Sequence, residues 1–202
     1  GKNGCGKTTM MRILADEEVP TEGNISTGIT VKKGYYSQEI GEKEMNPKQR
    51  VIDYIKDTAE FIKTPDGMVS ASKMLETFLF PGDMQYSPIE KLSGGEKKRL
   101  NLLRVLMEAP NVLLLDEPTN DLDVMTLSIL EDYLQGFPGP ILIVSHDRFF
   151  LDKLAESVFE ICGDGEVRIF TGNWSDWRAK RREEEQALEK PKVQPKQERV
   201  KN

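Results

Sequence analysis

The chain opens with residues whose types and spacing fit a loop that holds the phosphates of a nucleoside triphosphate. The first eight follow the pattern G-x-x-x-x-G-K-[ST], which arises by chance in about one of a hundred chains of this length. Glycines let successive backbone N–H groups converge on phosphate oxygens, and the N-terminus of the following helix adds partial positive charge. Lys7 would reach the β- and γ-phosphates and Thr8 would ligate Mg²⁺. An ordinary turn before a helix is the alternative. The residues predicted to bind nucleotide here are Gly1, Lys2, Asn3, Gly4, Cys5, Gly6, Lys7, Thr8 and Thr9.

Two adjacent carboxylates follow an apolar run in the middle of the chain. The run 112–115 is Val-Leu-Leu-Leu, which predicts a buried strand, and Asp116 and Glu117 come directly after it. Ligands of open α/β sheets lie at the carboxyl ends of the strands. Asp116 would therefore hold Mg²⁺ through water, and Glu117 could polarise an attacking water as general base. An apolar strand that ends in Asp-Glu is common, so the pair indicates a magnesium and water site only because the phosphate loop is also present.

A third motif, 92–96, reads Leu-Ser-Gly-Gly-Glu and precedes a helical stretch. A hydroxyl and two glycine amides at a helix start suit a γ-phosphate, although Ser also makes an ordinary N-cap, and both readings can hold together. The motif resembles the signature of ABC ATPases, in which two domains sandwich two ATP molecules head to tail. The resemblance implies that Ser93, Gly94, Gly95 and Glu96 contact ATP held by the other domain.

The same resemblance assigns three further residues. Gln38 matches the Q-loop glutamine, which senses Mg²⁺ and the attacking water. Asp123 matches the D-loop aspartate that bridges the two domains, and His146 matches the switch histidine that contacts the γ-phosphate. His146 is the one histidine of the chain. A single histidine is usually structural, but the position of this one after a buried strand favours a role in the site. The five motifs occur in the order that the family requires.

The elements that must position these residues alternate between strand and helix patterns. Two apolar runs, 112–116 and 141–145, predict buried strands, and helical periodicity covers 7–15, 94–107 and 124–135. Residues 51–80 read as helical with a turn at 64–67, 24–36 as short antiparallel strands, and 158–171 as a hairpin. The pattern predicts an α/β fold whose mainly parallel sheet is covered on both faces. The family adds a small antiparallel β subdomain and a helical signature subdomain.

Composition and charge indicate a soluble globular domain with an appendage. The 202 residues are 38% hydrophobic, 31% charged and carry a net charge of −6, and no apolar run is long enough to span a bilayer. We predict an ABC domain over 1–177, truncated so that its first strand is missing, and a charged extension over 178–202 that forms a short helix and then becomes disordered. The extension has nine basic and five acidic residues, so nucleic-acid contact and simple solvation both remain open. Only two cysteines are present, which favours the cytoplasm.

Four segments narrow the resemblance to the ABC-F family. They are Glu96, which replaces the usual transporter glutamine, and the stretches 116–123, 145–152 and 172–177. ABC-F proteins are soluble, carry two tandem ATPase domains and act on ribosomes. The Asn-Asp-Leu-Asp form of 120–123 resembles the second domain, and 74–80 is similar to the Uup-like branch.

The resemblance implies ATP and Mg²⁺ as ligands, with Thr8, Gln38 and Asp116 around the metal. It implies Glu117 and His146 as the catalytic residues. The expected partners are a second ABC domain in the same longer chain and the ribosome or its RNA. An ATPase subunit of a membrane transporter is the alternative. A coiled-coil DNA-repair ATPase is excluded because only 86 positions separate Lys7 from Ser93. A degenerate scaffold is disfavoured because Lys7, Asp116, Glu117 and His146 are intact.

Overall fold

The computed structural model describes residues 4–37, 45–64, 67–162 and 165–189. The eight α-helices of these ranges are α1 (Lys7–Leu14), α2 (Val51–Lys56), α3 (Ala71–Thr77), α4 (Gly82–Gln85), α5 (Gly94–Met107), α6 (Val124–Gln135), α7 (Arg148–Leu154) and α8 (Trp174–Glu189). The strands are β1 (Lys33–Ser37), β2 (Phe61–Thr64), β3 (Gly67–Ser70), β4 (Val112–Asp116), β5 (Ile141–Val144), β6 (Ser157–Ile161) and β7 (Val167–Thr171). Gly1, Lys2, Asn3, Gln38 and the predicted disordered tail lie outside the described residues.

A parallel sheet with strand order β1-β4-β5 forms the centre of the fold. Its register pairs Ser37 with Asp116 and Asp116 with Val144, so all three strands end at one edge. The central strand β4 carries the deepest residues of the sheet, and Leu113 and Leu115 are fully buried. The α/β class with a parallel sheet is confirmed. Because the strands are parallel and end together, the residues that follow them meet at the same edge.

A helical layer packs beside the sheet and contains the start of α5. Helices α2, α3 and α5 contact one another, and α5 also lies against β1. Fully buried apolar residues fill the layer, among them Ile55, Leu75, Phe78, Leu103 and Leu106. The predicted helices at 94–107 and 124–135 have the observed bounds of α5 and α6. Their boundaries are read easily because Ser93 and Asp123 cap them with their side chains.

Two predictions about secondary structure were wrong. Residues 61–70 were expected within a helical stretch, but they form the antiparallel pair β2–β3, in which Ile62 pairs with Val69. Residues 24–36 were expected as antiparallel strands, but only β1 forms there, and it pairs with β4 in parallel. The first error arises because periodicity alone does not assign a short apolar run to a helix or a strand. The second arises because β-propensity does not indicate which strand a segment will pair with.

The predicted C-terminal hairpin is present in the structure. The hairpin β6–β7 pairs Val158 with Phe170, as the turn at 163–165 predicted. The helix α8 continues through 174–189, so the predicted boundary between 177 and 178 falls inside a helix. Among the described residues, none of the helices combines the length and the apolar character that crossing a membrane would need.

Candidate active site at the carboxyl edge of the sheet

The described part of the phosphate loop has the backbone that such a loop requires. Gly4 and Gly6 have φ angles of 79° and 90°, the left-handed region that favours glycine. Gly6 is the N-cap of α1, and its carbonyl accepts the first helical hydrogen bond from Met10 N at 2.9 Å. The next residue, Lys7, extends its Nζ to 3.9 Å from Cys5 Sγ. The N-cap Gly6 provides no side-chain hydrogen bond to α1, and the first turn of a helix is suited to an anion.

Asp116 fits a magnesium ligand because one of its carboxylate oxygens is buried without a hydrogen bond from a described residue. It is 5% exposed, and its Oδ1 atom is buried without a hydrogen bond from any described residue. A buried carboxylate oxygen is costly unless a cation or a donor meets it. Thr8 lies on the first turn of α1, which packs against β4. Among the described residues, no group of three His, Cys, Asp or Glu side chains is arranged to hold a metal ion by itself.

Glu117 and His146 meet where β4 and β5 end. The backbone of Glu117 has φ 52°, and its N–H donates to Val144 O at 2.8 Å. Its Oε1 lies 3.3 Å from His146 Nε2, and its Oε2 accepts from the His146 N–H at 3.3 Å. Both contacts are longer than the usual 2.9–3.0 Å, so either oxygen can exchange its partner for a water at small cost. A non-glycine residue with positive φ at this place is a strained conformation of the kind found at active sites.

Neighbouring polar residues hold the backbone around His146 in place. The sequence patterns did not assign a role in the site to these residues. The Ser145 hydroxyl lies 2.9 Å from Thr119 Oγ1 and accepts from the Asp147 N–H at 3.0 Å. Asp147 caps α7 by accepting from Phe149 N and Phe150 N. These bonds tie the end of β5 to the loop after β4. The polar triplet 145–147 directly before a helix is the signal that could have shown them.

The 92–96 motif makes a complete capping box at the start of α5. Ser93 Oγ accepts from Glu96 N at 3.3 Å, and Glu96 Oε2 accepts from Ser93 N at 2.8 Å. Gly94 has open space around its Cα, whereas a Cβ at Gly95 would come 3.3 Å from the carbonyl oxygen of Asp121. The N-cap is therefore present, and the exposed Ser93 and Gly94 leave it accessible to a phosphate.

Asp123 is engaged within its own chain. It accepts from Thr126 N at 2.9 Å and from Thr126 Oγ1 at 2.8 Å, and its Oδ2 lies 3.1 Å from Arg99 Nη1. The two bonds from Thr126, followed by the charge of Arg99, lower the pKa of the Asp123 carboxyl. Its side chain is still 56% exposed. Contact with a second domain stays a prediction, and Asp123 would make it from a fixed position.

The predicted residues therefore form two groups. The carboxyl edge of the sheet brings Asp116, Glu117 and His146 together beside the start of α1. The start of α5 lies instead against the loop that contains Asp121 and Asp123. One edge of the sheet also remains open: among the described residues β5 pairs only with β4, and a groove of about 900 Å³ runs along it.

Comparison with known proteins supports this arrangement. Residues 1–120 match the family model ABC_tran, described as "ABC transporter". The chain is 55% identical over 178 residues to "Uncharacterized ABC transporter ATP-binding protein YfmR" of Bacillus subtilis, covering 88% of the chain and 28% of that protein. It is 37% identical to "ATP-binding protein Uup" of Haemophilus influenzae, covering 100% and 32%. "Energy-dependent translational throttle protein EttA" of the same organism is 37% identical, at 88% and 32%. The chain thus spans about a third of the length of these relatives.

A solved structure agrees with the fold. An archaeal ribosome recycling factor, aABCE1, in complex with a ribosomal stalk protein superposes with a TM-score of 0.68 at 25% identity. The match covers 89% of this chain and 35% of that one. The phosphate loop, the strand that ends in Asp-Glu and the capped glycine pair lie within or beside the matched family region, and the described fold is that of its structural neighbours. This chain belongs to the ABC family of ATP-hydrolysing domains, and within that family it is similar to the ABC-F proteins Uup and EttA.

Proposed function

We propose that this domain hydrolyses ATP with Glu117 as general base and His146 as its partner. The observation that carries this proposal is the Glu117–His146 contact of 3.3 Å beside Asp116, whose buried Oδ1 has no hydrogen bond from a described residue. The Glu117 carboxylate would take a proton from a water whose oxygen attacks the γ-phosphorus, so that ADP leaves. His146 would hold Glu117 before the reaction and contact the γ-phosphate during it.

Residues of the phosphate loop and of the strand ends would bind the substrate. Residues 1–9 would surround the phosphates, and Thr8, Gln38 and Asp116 would hold Mg²⁺, which supplies charge neutralisation of the phosphate oxygens when bound. Residues 93–96 and Asp123 would meet ATP held by a second domain. The exposed capping box and the half-exposed Asp123 support that assignment, because both remain accessible from outside the chain.

The open edge of β5 supports the view that this domain is one part of a longer protein. The groove beside β5 is lined by Lys7 and Met10 of α1 as well as by β6. We infer that a further strand of the longer protein occupies it, since unpaired strand edges are normally covered. The 202 residues alone should then hydrolyse ATP poorly, because the composite site needs both such a strand and a second domain. Turnover equal to that of the tandem protein, at equal domain concentration, would contradict the composite site.

We propose further that the longer protein is a cytoplasmic ABC-F protein that engages the ribosome when ATP is bound. The names of the relatives EttA and aABCE1, which refer to translation and to the ribosome, support this proposal. The alternative is an ATPase subunit of a membrane transporter, which the name of YfmR favours.

The decisive experiment uses the full-length protein with Glu117→Gln and the matching change in its other domain. ATP should bind but not turn over, so the closed state stays populated. We expect the variant to co-sediment with ribosomes in ATP and to arrest translation, while the parent protein does neither. Normal ATP binding without ribosome association would leave the ATPase proposal standing and remove the ribosomal one. Co-purification with a membrane subunit would then support the transporter.

A further inference from the structure

Arg99 is a buried cation that connects three separate segments of the chain. The residue is 7% exposed and lies one turn into α5. Its Nη1 donates to Asp123 Oδ2 and to Thr126 Oγ1, each at 3.1 Å. Its Nη2 lies 3.5 Å from Leu79 O, and its guanidinium stands 4.8 Å above the Phe80 ring. A planar guanidinium presents five donors spread over a rigid plane, whereas a lysine ammonium presents three donors at a single point.

Arg99 does not act alone on the loop 120–123. Gly95, Lys98 and Arg99 are spaced so that they share one face of α5. Gly95 allows the Asp121 carbonyl to approach closely, Lys98 forms an ion pair with the Asp121 carboxylate, and Arg99 pairs with Asp123. This face, which we call the clasp, therefore holds the loop at its backbone and at both of its carboxylates.

The segments that the clasp holds have unusual backbones. Leu79 and Asp121 both have φ 61°, a region in which a residue such as leucine is rare. Such conformations persist only where surrounding contacts determine them. Arg99 binds the carbonyl of the first residue, and Lys98 binds the side chain of the second. The clasp thus joins the turn at 79–80, the start of α5 and the loop 120–123 into one unit.

We propose that Arg99 is a positioning residue that fixes Asp123 relative to Ser93 and Gly94, so that a second domain meets both as one rigid surface. This inference rests on the composite site proposed above. Arg99 itself is buried and would touch neither ATP nor the second domain. Without it the Lys98–Asp121 pair would remain, but Asp123 would lose its direct link to α5, and closure by ATP would lose part of its free energy.

The test uses the full-length Glu117→Gln protein, in which ATP should close the two domains on each other. Small-angle scattering would measure this closure as a decrease in the radius of gyration. Adding Arg99→Met should raise the ATP concentration for half-closure about tenfold, within the usual range of coupling between sites. The affinity for Mg·ADP, measured by calorimetry, should stay within about twofold. The control is Arg104→Met. Arg104 lies on the same helix as Arg99 and forms an ion pair with Glu108, away from the loop. Its replacement should leave the closure curve unchanged.

Three more variants separate positioning from simple stability. Arg99→Lys should restore part of the closure, since one ammonium can pair with Asp123 but cannot also reach Thr126 and Leu79. Asp123→Ser keeps an N-cap for α6 and loses the carboxylate, so it should weaken closure as Arg99→Met does. The double variant should be no worse than either single one. If Arg99→Met does not fold, the lysine and serine variants carry the same comparison.

The outcomes are distinct. If the Glu117→Gln protein closes and Arg99→Met closes at the same ATP concentration, the positioning role is wrong. If the effects of Arg99→Met and Asp123→Ser multiply, the two residues act independently, and the role is again wrong. If the Glu117→Gln protein binds ATP and does not close, the composite site itself fails, and there is no second-domain contact for Arg99 to position.

Discussion

The two regions that carry the predicted site residues differ in how completely their polar groups are satisfied. At the carboxyl edge of the sheet, Asp116 Oδ1 is buried without a partner, and Glu117 holds a strained backbone with long contacts to His146. At the start of α5, the capping box and the ion pairs to the loop 120–123 are formed within the chain, and Arg99 Nε is the one buried polar side-chain atom of this region without a hydrogen bond to a described residue. Polar groups of the first region are thus available to a substrate. Most polar groups of the second region instead stabilise the local structure.

This difference follows from what each region must do. Groups that bind a phosphate or a metal must exchange partners during a reaction cycle, so satisfying them inside the protein would compete with the ligand. Groups that present a surface to another domain must keep their positions before that domain arrives, because ordering them on contact would cost free energy. Substitutions in the two regions should therefore change different measurements.

The largest effect is expected at Glu117. Glu117→Gln keeps the size of the side chain and removes the base, so kcat of the full-length protein should fall about 10²- to 10⁴-fold. ATP affinity should persist because Lys7, Thr8 and Asp116 are unchanged. Steady-state phosphate release together with calorimetric ATP binding measures both quantities. A fall of less than about threefold would mean that Glu117 is not the base.

The next effect in size is expected at Lys7. Lys7→Ala removes a charge-assisted contact to phosphates that is worth roughly 1.5–3 kcal/mol, or about ten- to a hundredfold in affinity. Calorimetry with ATP on the full-length protein measures the change. Lys153→Ala, which removes an exposed ion pair with Glu131 well along α7, provides the control and should leave affinity unaltered. Equal affinities in both variants would show that the loop is not the phosphate site.

Asp116 allows a test in which binding and stability change in opposite directions. Asp116→Asn replaces a buried carboxylate, whose Oδ1 has no hydrogen bond from a described residue, by a neutral amide of the same shape. Without metal and nucleotide we expect the free energy of unfolding to rise by about 1 kcal/mol. The Mg²⁺ dependence of nucleotide binding should weaken in the same variant. Urea unfolding in a chelator measures the first quantity, and a loss of stability there would contradict the picture of an unsatisfied site.

Two serine caps provide a matched comparison between site and scaffold. Ser93 and Ser70 cap α5 and α3, and each accepts a hydrogen bond from the third residue of its helix. Changing either to Ala should lower the free energy of unfolding by about 1 kcal/mol. Only Ser93→Ala should also lower the ATPase rate of the full-length protein. If both variants keep full activity, Ser93 is a cap and nothing more.

The smallest effect is a pH dependence that belongs to the clasp. The pKa of Asp123 is lowered by Thr126 and Arg99, so Asp123 contributes stability above its unfolded pKa of about 3.9 and loses it as the pH falls through the lower folded value. Asp123→Ser should therefore flatten the acid side of the stability curve below about pH 4 and leave the neutral side with the same slope. Thermal unfolding between pH 3 and 7 tests this expectation, and an unchanged acid slope would contradict it.

The sequence by itself determined the features that depend on neighbours along the chain. The phosphate loop, the buried strand before Asp116 and the capped starts of α5 and α6 are local patterns, because hydrogen bonds from side chain to backbone and helical periodicity act within a few residues. For that reason the bounds of 94–107 and 124–135 could be read directly. The order of the motifs then indicated the family, and with it the α/β fold.

Tertiary structure decided which segments pair and which buried polar groups remain open. Strand pairing depends on contacts between segments that are far apart in the chain. The residues around 33–37 therefore do not show that β1 runs parallel to β4, and the residues around 61–70 do not by themselves require a hairpin. Likewise, the residue types around Arg99 reveal neither its burial nor its hold on Asp123, because its acceptors lie about 20 residues or more away along the chain. Long-range packing creates these features, and only the folded arrangement shows them.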